Sequence, residues 1–221
     1  MGAVKYRAVL FDLDGTLLDT LKDIADSTNA ALSDFGCPQH ETQAYRQLIS
    51  YGNEALAAGA LPEGHRDADT VYRLYVRIGE EYSKRWDNNT RPYPGIPALL
   101  DSLDGLGVRM AILSNAPQKF AELMASRFLH PWHFEFVVGS LPSVPKKPDP
   151  AAAISIAYSM KLEPERFLYL GDSDVDMKTA IAAGMHPVGA LWGFRTANQL
   201  ITAGAKAIIP QPALLLNFLN G

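Results

Sequence analysis

The sequence predicts an α/β fold: a Rossmann-like parallel sheet core with a helical subdomain inserted near its start. Three observations carry this expectation. Short apolar runs rich in β-forming residues alternate with helical stretches over most of the chain. Such alternation predicts parallel strands whose sheet is covered on both faces. One stretch, from Leu18 to about Trp86, breaks the rhythm and shows helical patterns alone.

The first strand is read at residues 7–13, where the apolar run ends in Asp and Gly. Further strands are expected at 108–113, 134–138, 167–170, 187–191 and 207–209. The helices between them fall at 96–106, 117–128, 150–160, 175–183, 197–203 and 213–219. Inside the insert, 21–35 carries Ile24, Thr28, Ala31, Leu32 and Phe35 on one helical face. Val71, Leu74, Tyr75, Ile78 and Tyr82 recur at spacings of three and four over 71–86. Shorter helices are expected at 41–49 and 54–60. Pro92, Pro94, Gly95 and Pro97 punctuate the return linker. The domain boundaries are therefore 1–17 with 89–221 for the core, and 18–88 for the insert.

Composition narrows the function. Of 221 residues, 48% are hydrophobic and 20% charged, which is ordinary for a soluble globular protein. A net charge of -4 argues against nucleic acid or an anionic membrane as partner. It leaves room for an anionic substrate beside a bound cation. Cys37 is the single cysteine, so no internal disulfide forms, as in a reducing compartment. No apolar run is long enough for a signal peptide or a membrane span, and a cytoplasmic location is expected. The five histidines lack the spacing of a zinc-binding helix.

Polar residues gather where the strands end, which is where open parallel sheets bind ligands. The first strand runs into Asp12-Leu13-Asp14-Gly15-Thr16. The second ends in Ser114-Asn115, and the fourth in Gly171-Asp172-Ser173 with Asp176 following. Lys146 and Lys147 precede Pro148-Asp149-Pro150 in a neighbouring loop. If these strands lie side by side, the groups share one crevice. Clustered carboxylates need a cation, and an all-oxygen donor set suits a hard ion such as Mg²⁺. Asp12 can accept a phosphoryl group covalently, and Asp14 can act as acid and base. Ideal strand alternation would point these two side chains apart, so the turn at Gly15 must bend the backbone.

With those residues in place, the chain resembles a haloacid-dehalogenase (HAD) superfamily phosphatase of the phosphoglycolate-phosphatase-like branch. The resemblance rests on Asp12–Thr16, Leu113-Ser114-Asn115, Lys147-Pro148-Asp149-Pro150 and Gly171–Asp176, in that order. It implies a HAD-like core and makes the insert a cap domain. It implies that Asp12 is nucleophile and Mg²⁺ ligand, and that Asp14 is the acid/base, with its backbone carbonyl also on the metal. Ser114, Asn115 and Lys147 are expected at the phosphoryl group. Asp172 is expected on the metal, and Asp176 on it or just behind. In the insert, Tyr51-Gly52-Asn53 is the expected substrate-reading loop, with Gly52 allowing close approach and Asn53 hydrogen bonding.

The leading function is Mg²⁺-dependent hydrolysis of a small phosphorylated metabolite, 2-phosphoglycolate first, by a monomer or homodimer. A sugar phosphomutase and a pyrophosphatase keep the same acids and remain alternatives. A dehalogenase needs no second acid, so Asp14 counts against it. A phospho-accepting switch is the alternative outside enzymes, but such domains are shorter and lack Asp-x-Asp. Blander roles are expected elsewhere: Asp174 as a solvent-facing acid at a helix start, and Trp192-Gly193-Phe194 as packing after the fifth strand.

Overall fold

The computed structural model describes residues 5–142 and 144–219. In chain order the elements are β1 (Ala8–Phe11), β2 (Leu18–Asp19), α1 (Leu21–Asp34), α2 (Asn53–Ala60), α3 (Ala68–Tyr82) and β3 (Arg91–Pro92). The chain continues through α4 (Ile96–Gly105), β4 (Arg109–Pro117), α5 (Gln118–Phe128), β5 (Phe136–Ser140) and α6 (Ala151–Ser159). It ends with β6 (Phe167–Gly171), α7 (Asp174–Ala182), β7 (His186–Ala190), α8 (Ala197–Thr202) and β8 (Ala207–Ile209). Four short 3₁₀ turns join these elements.

Ala8, Val9, Leu10 and Phe11 of β1 are all fully buried, so this strand is covered on both faces. It occupies the middle of a six-stranded sheet ordered β5-β4-β1-β6-β7-β8. All its pairings are parallel, with Phe11 opposite Ile112 of β4 and Leu170 of β6. One buried cluster gathers Ala8, Leu10, Leu113, Tyr169 and Phe167 against Ile156 and Met160 from the α6 side. The order reverses direction at β1, because β4 lies on one side and β6 on the other. That is a topological switch point, where parallel sheets open a crevice.

By internal contacts the chain forms two compact units: one up to Leu18 and from Pro92 onward, the other Asp19–Arg91. The strands β2 and β3 pair where the chain passes between them. In the second unit α1 and α2 both pack on α3. Its buried side chains include Ala31, Leu32, Tyr45, Leu56, Leu74 and Ile78. Asp67 caps α3 by accepting from the Thr70 N–H at 3.0 Å. Asp23 is buried and accepts from Asn89 N–H and Nδ2 and from Thr90 N–H and Oγ1, at 2.7–3.1 Å. It thereby ties the beginning of the unit to its end.

The structure departs from the pattern reading in three places. The helices expected at 41–49 and 213–219 are 3₁₀ turns, Thr42–Gln47 and Pro212–Phe218. Both close with tighter i→i+3 bonds. The two-residue strands β2 and β3 are too short to show any period. The second strand expected at 108–113 runs on to Pro117, but its register with β5 becomes irregular after Leu113. No helix among the described residues is long and apolar enough to cross a membrane.

Candidate active site

The strand order brings the predicted groups together. Asp12 directly follows β1, and its N–H still pairs with the Leu170 carbonyl of β6 at 2.9 Å. Ser114 and Asn115 lie in the irregular segment of β4, on the other side of β1. Asp172 directly follows β6, and Asp176 sits in the first turn of α7. Lys147 comes from the loop between β5 and α6. Asp12, Ser114, Asn115, Lys147, Asp172 and Asp176 are all buried.

The backbone bends after Asp12 as the close spacing of two working acids requires. Gly15 has φ +85°, a left-handed conformation that glycine adopts without strain. The Leu13 carbonyl accepts from the N–H groups of Thr16, Leu17 and Leu18, which closes the turn. Asp14 therefore leaves the strand, and its Oδ2 accepts from the Ser114 hydroxyl at 3.2 Å. Ser114 also accepts from the Ala116 N–H at 3.0 Å. It does not cap α5, whose N-terminus at Pro117 has no side-chain cap.

Lys147 reaches inward to bridge two acids. Its Nζ lies 2.7 Å from Asp12 Oδ1 and 2.6 Å from Asp176 Oδ1. Asn115 fixes the main chain that carries it. The Asn115 Nδ2 donates to the Lys147 carbonyl at 3.0 Å, and its Oδ1 accepts from the Lys147 N–H at 2.9 Å. This pair of bonds ties the Asn115 amide to the Lys147 main chain. Asp176 is held in turn by Ser173, in a capping box at the start of α7. The Tyr169 hydroxyl donates to Asp176 Oδ1 at 3.4 Å.

Asp12, Asp172 and Asp176 each offer a carboxylate oxygen, and these atoms lie within 4.8 Å of one another. Asp14 contributes no side chain to this group. Three ionised carboxylates and one ammonium would leave the buried cluster at about -2, which burial strongly penalises. Burial raises the Asp12 carboxyl well above the usual carboxylate range; Asp176 raises it further, and Lys147 only partly opposes them. Burial likewise pushes Asp172 up to about 7, with Asp176 adding to it. The Lys147 ammonium pays for its burial, but Asp12 and Asp176 outweigh that and hold it charged. A buried, all-oxygen set with two charges left over fits a hard divalent cation.

Two contributors carry no role in the pattern reading, although Thr16 closes its first motif. Thr16 donates its hydroxyl to Asp172 Oδ1 at 3.1 Å, and the Phe194 N–H donates to Asp172 Oδ2 at 2.6 Å. A backbone donor cannot be read from residue type. Phe194 is also buried as packing, as expected. Asp174 does start α7, but it faces Lys178 at 2.8 Å and the buried Arg195 at 3.6 Å rather than open solvent alone. Gly52, with φ +91°, and Asn53 lie in the second unit at the start of α2, where Gly52 is the N-cap.

Comparison with known proteins places the chain in a family. Residues 9–190 match the family described as haloacid dehalogenase-like hydrolase. The phosphoglycolate phosphatase of Nitrosospira multiformis is 32% identical over 211 residues, spanning 92% of this chain and 91% of its own. The N-acetylmuramic acid 6-phosphate phosphatase of Pseudomonas aeruginosa is 29% identical over 221 residues, spanning 100% and 97%. A crystal structure from Lactobacillus delbrueckii subsp. bulgaricus, assigned as a phosphoglycolate phosphatase, superposes with a TM-score of 0.91 at 25% identity. It covers 98% of this chain and 100% of its own. The chain belongs to the haloacid dehalogenase-like hydrolase family.

Proposed function

We propose that this protein is a Mg²⁺-dependent phosphatase that hydrolyses a small phosphorylated metabolite through an aspartyl-phosphate on Asp12. The observation that carries the reading is the convergence of Asp12, Asp14, Ser114 and Lys147 at the switch point, beside a triad lacking about two positive charges. Asp12, Asp172 and Asp176 would hold the metal, which supplies charge to offset the phosphoryl oxygens.

The chain's own groups then divide the work. The Asp12 oxygen not bonded to Lys147 attacks phosphorus as the bond to the leaving oxygen breaks. Asp14, as the carboxylic acid, gives its proton to that leaving oxygen. Asp14, now a carboxylate, takes a proton from water, which attacks the phosphorus. The bond to Asp12 breaks and inorganic phosphate leaves. Lys147 offsets charge on Asp12 and the transferring group. Ser114 turns its hydroxyl from Asp14 to a phosphoryl oxygen. Asn115 positions Lys147.

We take the Asp19–Arg91 unit as the cap that reads the leaving group, with Gly52 and Asn53 as its contacts. The names of the relatives favour 2-phosphoglycolate as the first substrate to try, with a sugar 6-phosphate carrying a carboxylate ether as the second. The single cysteine fits a cytoplasmic enzyme. The test is phosphate release from a panel of phosphorylated metabolites with and without Mg²⁺, ranked by kcat/KM. No Mg²⁺-dependent turnover, with phosphate retained on Asp12, would favour the signalling-switch alternative. Transfer of phosphate between two positions of one sugar, without release, would favour the mutase.

A further inference from the structure

Thr16 is fully buried and takes no part in the proton transfers or the acidic triad. Its hydroxyl and its carbonyl point to two other loops. The hydroxyl donates to Asp172 Oδ1 at 3.1 Å, and the carbonyl accepts from the Trp192 indole N–H at 2.9 Å. Two residues beyond Trp192, the Phe194 N–H donates to the other Asp172 oxygen at 2.6 Å. These bonds close a ring through the loops that follow β1, β6 and β7. The ring is tight: a Cβ on Gly193 would fall 2.2 Å from Asp172 Cβ and 2.3 Å from the Gly15 carbonyl oxygen. Only glycine lets the third loop approach so closely.

The ring has a particular consequence for Asp172. Lys147 bonds to Asp12 and Asp176 but supplies no hydrogen bond to Asp172. Thr16 and the Phe194 backbone each give an uncharged donor, one to each Asp172 oxygen, and the buried Arg195 acts on the carboxylate through its charge. Two donors, one per oxygen, fix the plane of a carboxylate and so aim its remaining lone pairs. Trp192 acts one step further back, by holding the turn that carries Thr16.

We propose that Thr16 and Trp192 are positioning residues that hold Asp172 in the orientation required for metal binding. This rests on the metal reading given above. Outer partners of this kind typically govern metal affinity by ten- to a hundredfold, because a ligand that can rotate must be ordered again each time the ion binds.

The experiment measures Mn²⁺ binding without substrate, by electron paramagnetic resonance of the free ion, on the full chain. Thr16→Val keeps the side-chain shape and removes the donor; Thr16→Ser restores the hydroxyl; Trp192→Phe keeps an aromatic ring and removes the indole N–H. Thr16→Val should weaken Mn²⁺ binding about tenfold or more, and Thr16→Ser should stay within about threefold of wild type. Trp192→Phe should fall between them. Melting in EDTA reports folding separately. Wild-type affinity in Thr16→Val, or equal loss in Val and Ser, overturns the role of Thr16. Wild-type affinity in Trp192→Phe overturns that of Trp192, and this arm stands even if Thr16→Val does not fold. A wild-type protein that binds no Mn²⁺ overturns the metal reading itself, and with it the brace.

Discussion

The Lys147 ammonium stands 2.7 Å from the Asp12 carboxylate although 135 residues separate them in the chain. The same nitrogen reaches Asp176 at 2.6 Å, so one buried cation is shared by two buried anions. Replacing Lys147 by Met removes the only ammonium among these bonds and leaves the acids facing one another. Turnover should fall at least about 10²-fold, as when a charge-stabilising group is lost from the site of phosphoryl transfer. Stability without metal should fall too, by roughly 3 kcal/mol. Steady-state kinetics and urea unfolding check the two effects; near-normal turnover would reject Lys147 as a charge-stabilising group.

Asp14 is predicted to act by protonating the leaving oxygen. Asp14→Asn should therefore slow hydrolysis of an alkyl phosphate more than that of p-nitrophenyl phosphate, by about tenfold in the ratio of kcat/KM. A nitrophenolate leaves readily without a proton, whereas an alkoxide does not. Equal losses on both substrates would argue against the acid role. Asp12→Asn should remove at least about 10³-fold of turnover on both substrates, since it removes the nucleophile.

The acidic triad makes stability depend on pH when no metal is bound. Asp172 titrates at about 7 in the folded protein, and Asp12 is also raised, both chiefly by burial. The native state then holds protons that the unfolded chain has already lost. Through Asp172, stability should fall as pH rises from about 4, the usual Asp range, to about 7, and Asp12 adds a loss of the same sign. For Asp172 alone the loss is on the order of 4 kcal/mol. Mg²⁺ should remove most of this slope by favouring the ionised form. Urea unfolding from pH 5 to 8, in EDTA and in Mg²⁺, measures it; identical slopes in both would contradict the metal assignment.

Asp23 predicts a purely structural effect in the second unit. Its carboxylate satisfies the Asn89 and Thr90 N–H groups, the Asn89 amide and the Thr90 hydroxyl. Asp23→Ala leaves at least two backbone donors unpaired in a buried place and should cost roughly 3 kcal/mol. Asn89→Ala spares the backbone bonds and should cost only about 1 kcal/mol. Equilibrium denaturation distinguishes the two.

Glu81 offers a second pH test with the opposite sign. Its hydrogen bonds with Lys84 and Arg85, helped by Arg77, hold its carboxyl down to about 2. That stabilisation is complete above the usual Glu range and is lost as pH falls toward 2. Glu81→Gln should cost about 1 kcal/mol at pH 7, because its partners Lys84, Arg85 and Arg77 are partly exposed although Glu81 itself is buried. The difference from wild type should shrink below pH 4, as thermal melts at several pH values would record.

Local chemistry alone made much of this protein legible. The continuous apolar run before Asp12, the strand–helix rhythm and the Gly15 turn all follow from short-range propensity, which is written in consecutive residues. The roles of the acids and of Lys147 were legible through the resemblance to the family's motifs, whose residues stand here in the same order. Tertiary structure decided what those residues touch. The sheet order placed β4 and β6 on either side of β1 and so brought Ser114 and Asp172 beside Asp12. It gave Asn115 of β4 a hold on the main chain of the loop that carries Lys147. It also recruited Thr16, Trp192 and the Phe194 N–H around Asp172. Those contacts join loops far apart in sequence, and one uses a backbone group that every residue but proline possesses. No local pattern encodes such a choice; only the packing of three strand ends against one another does.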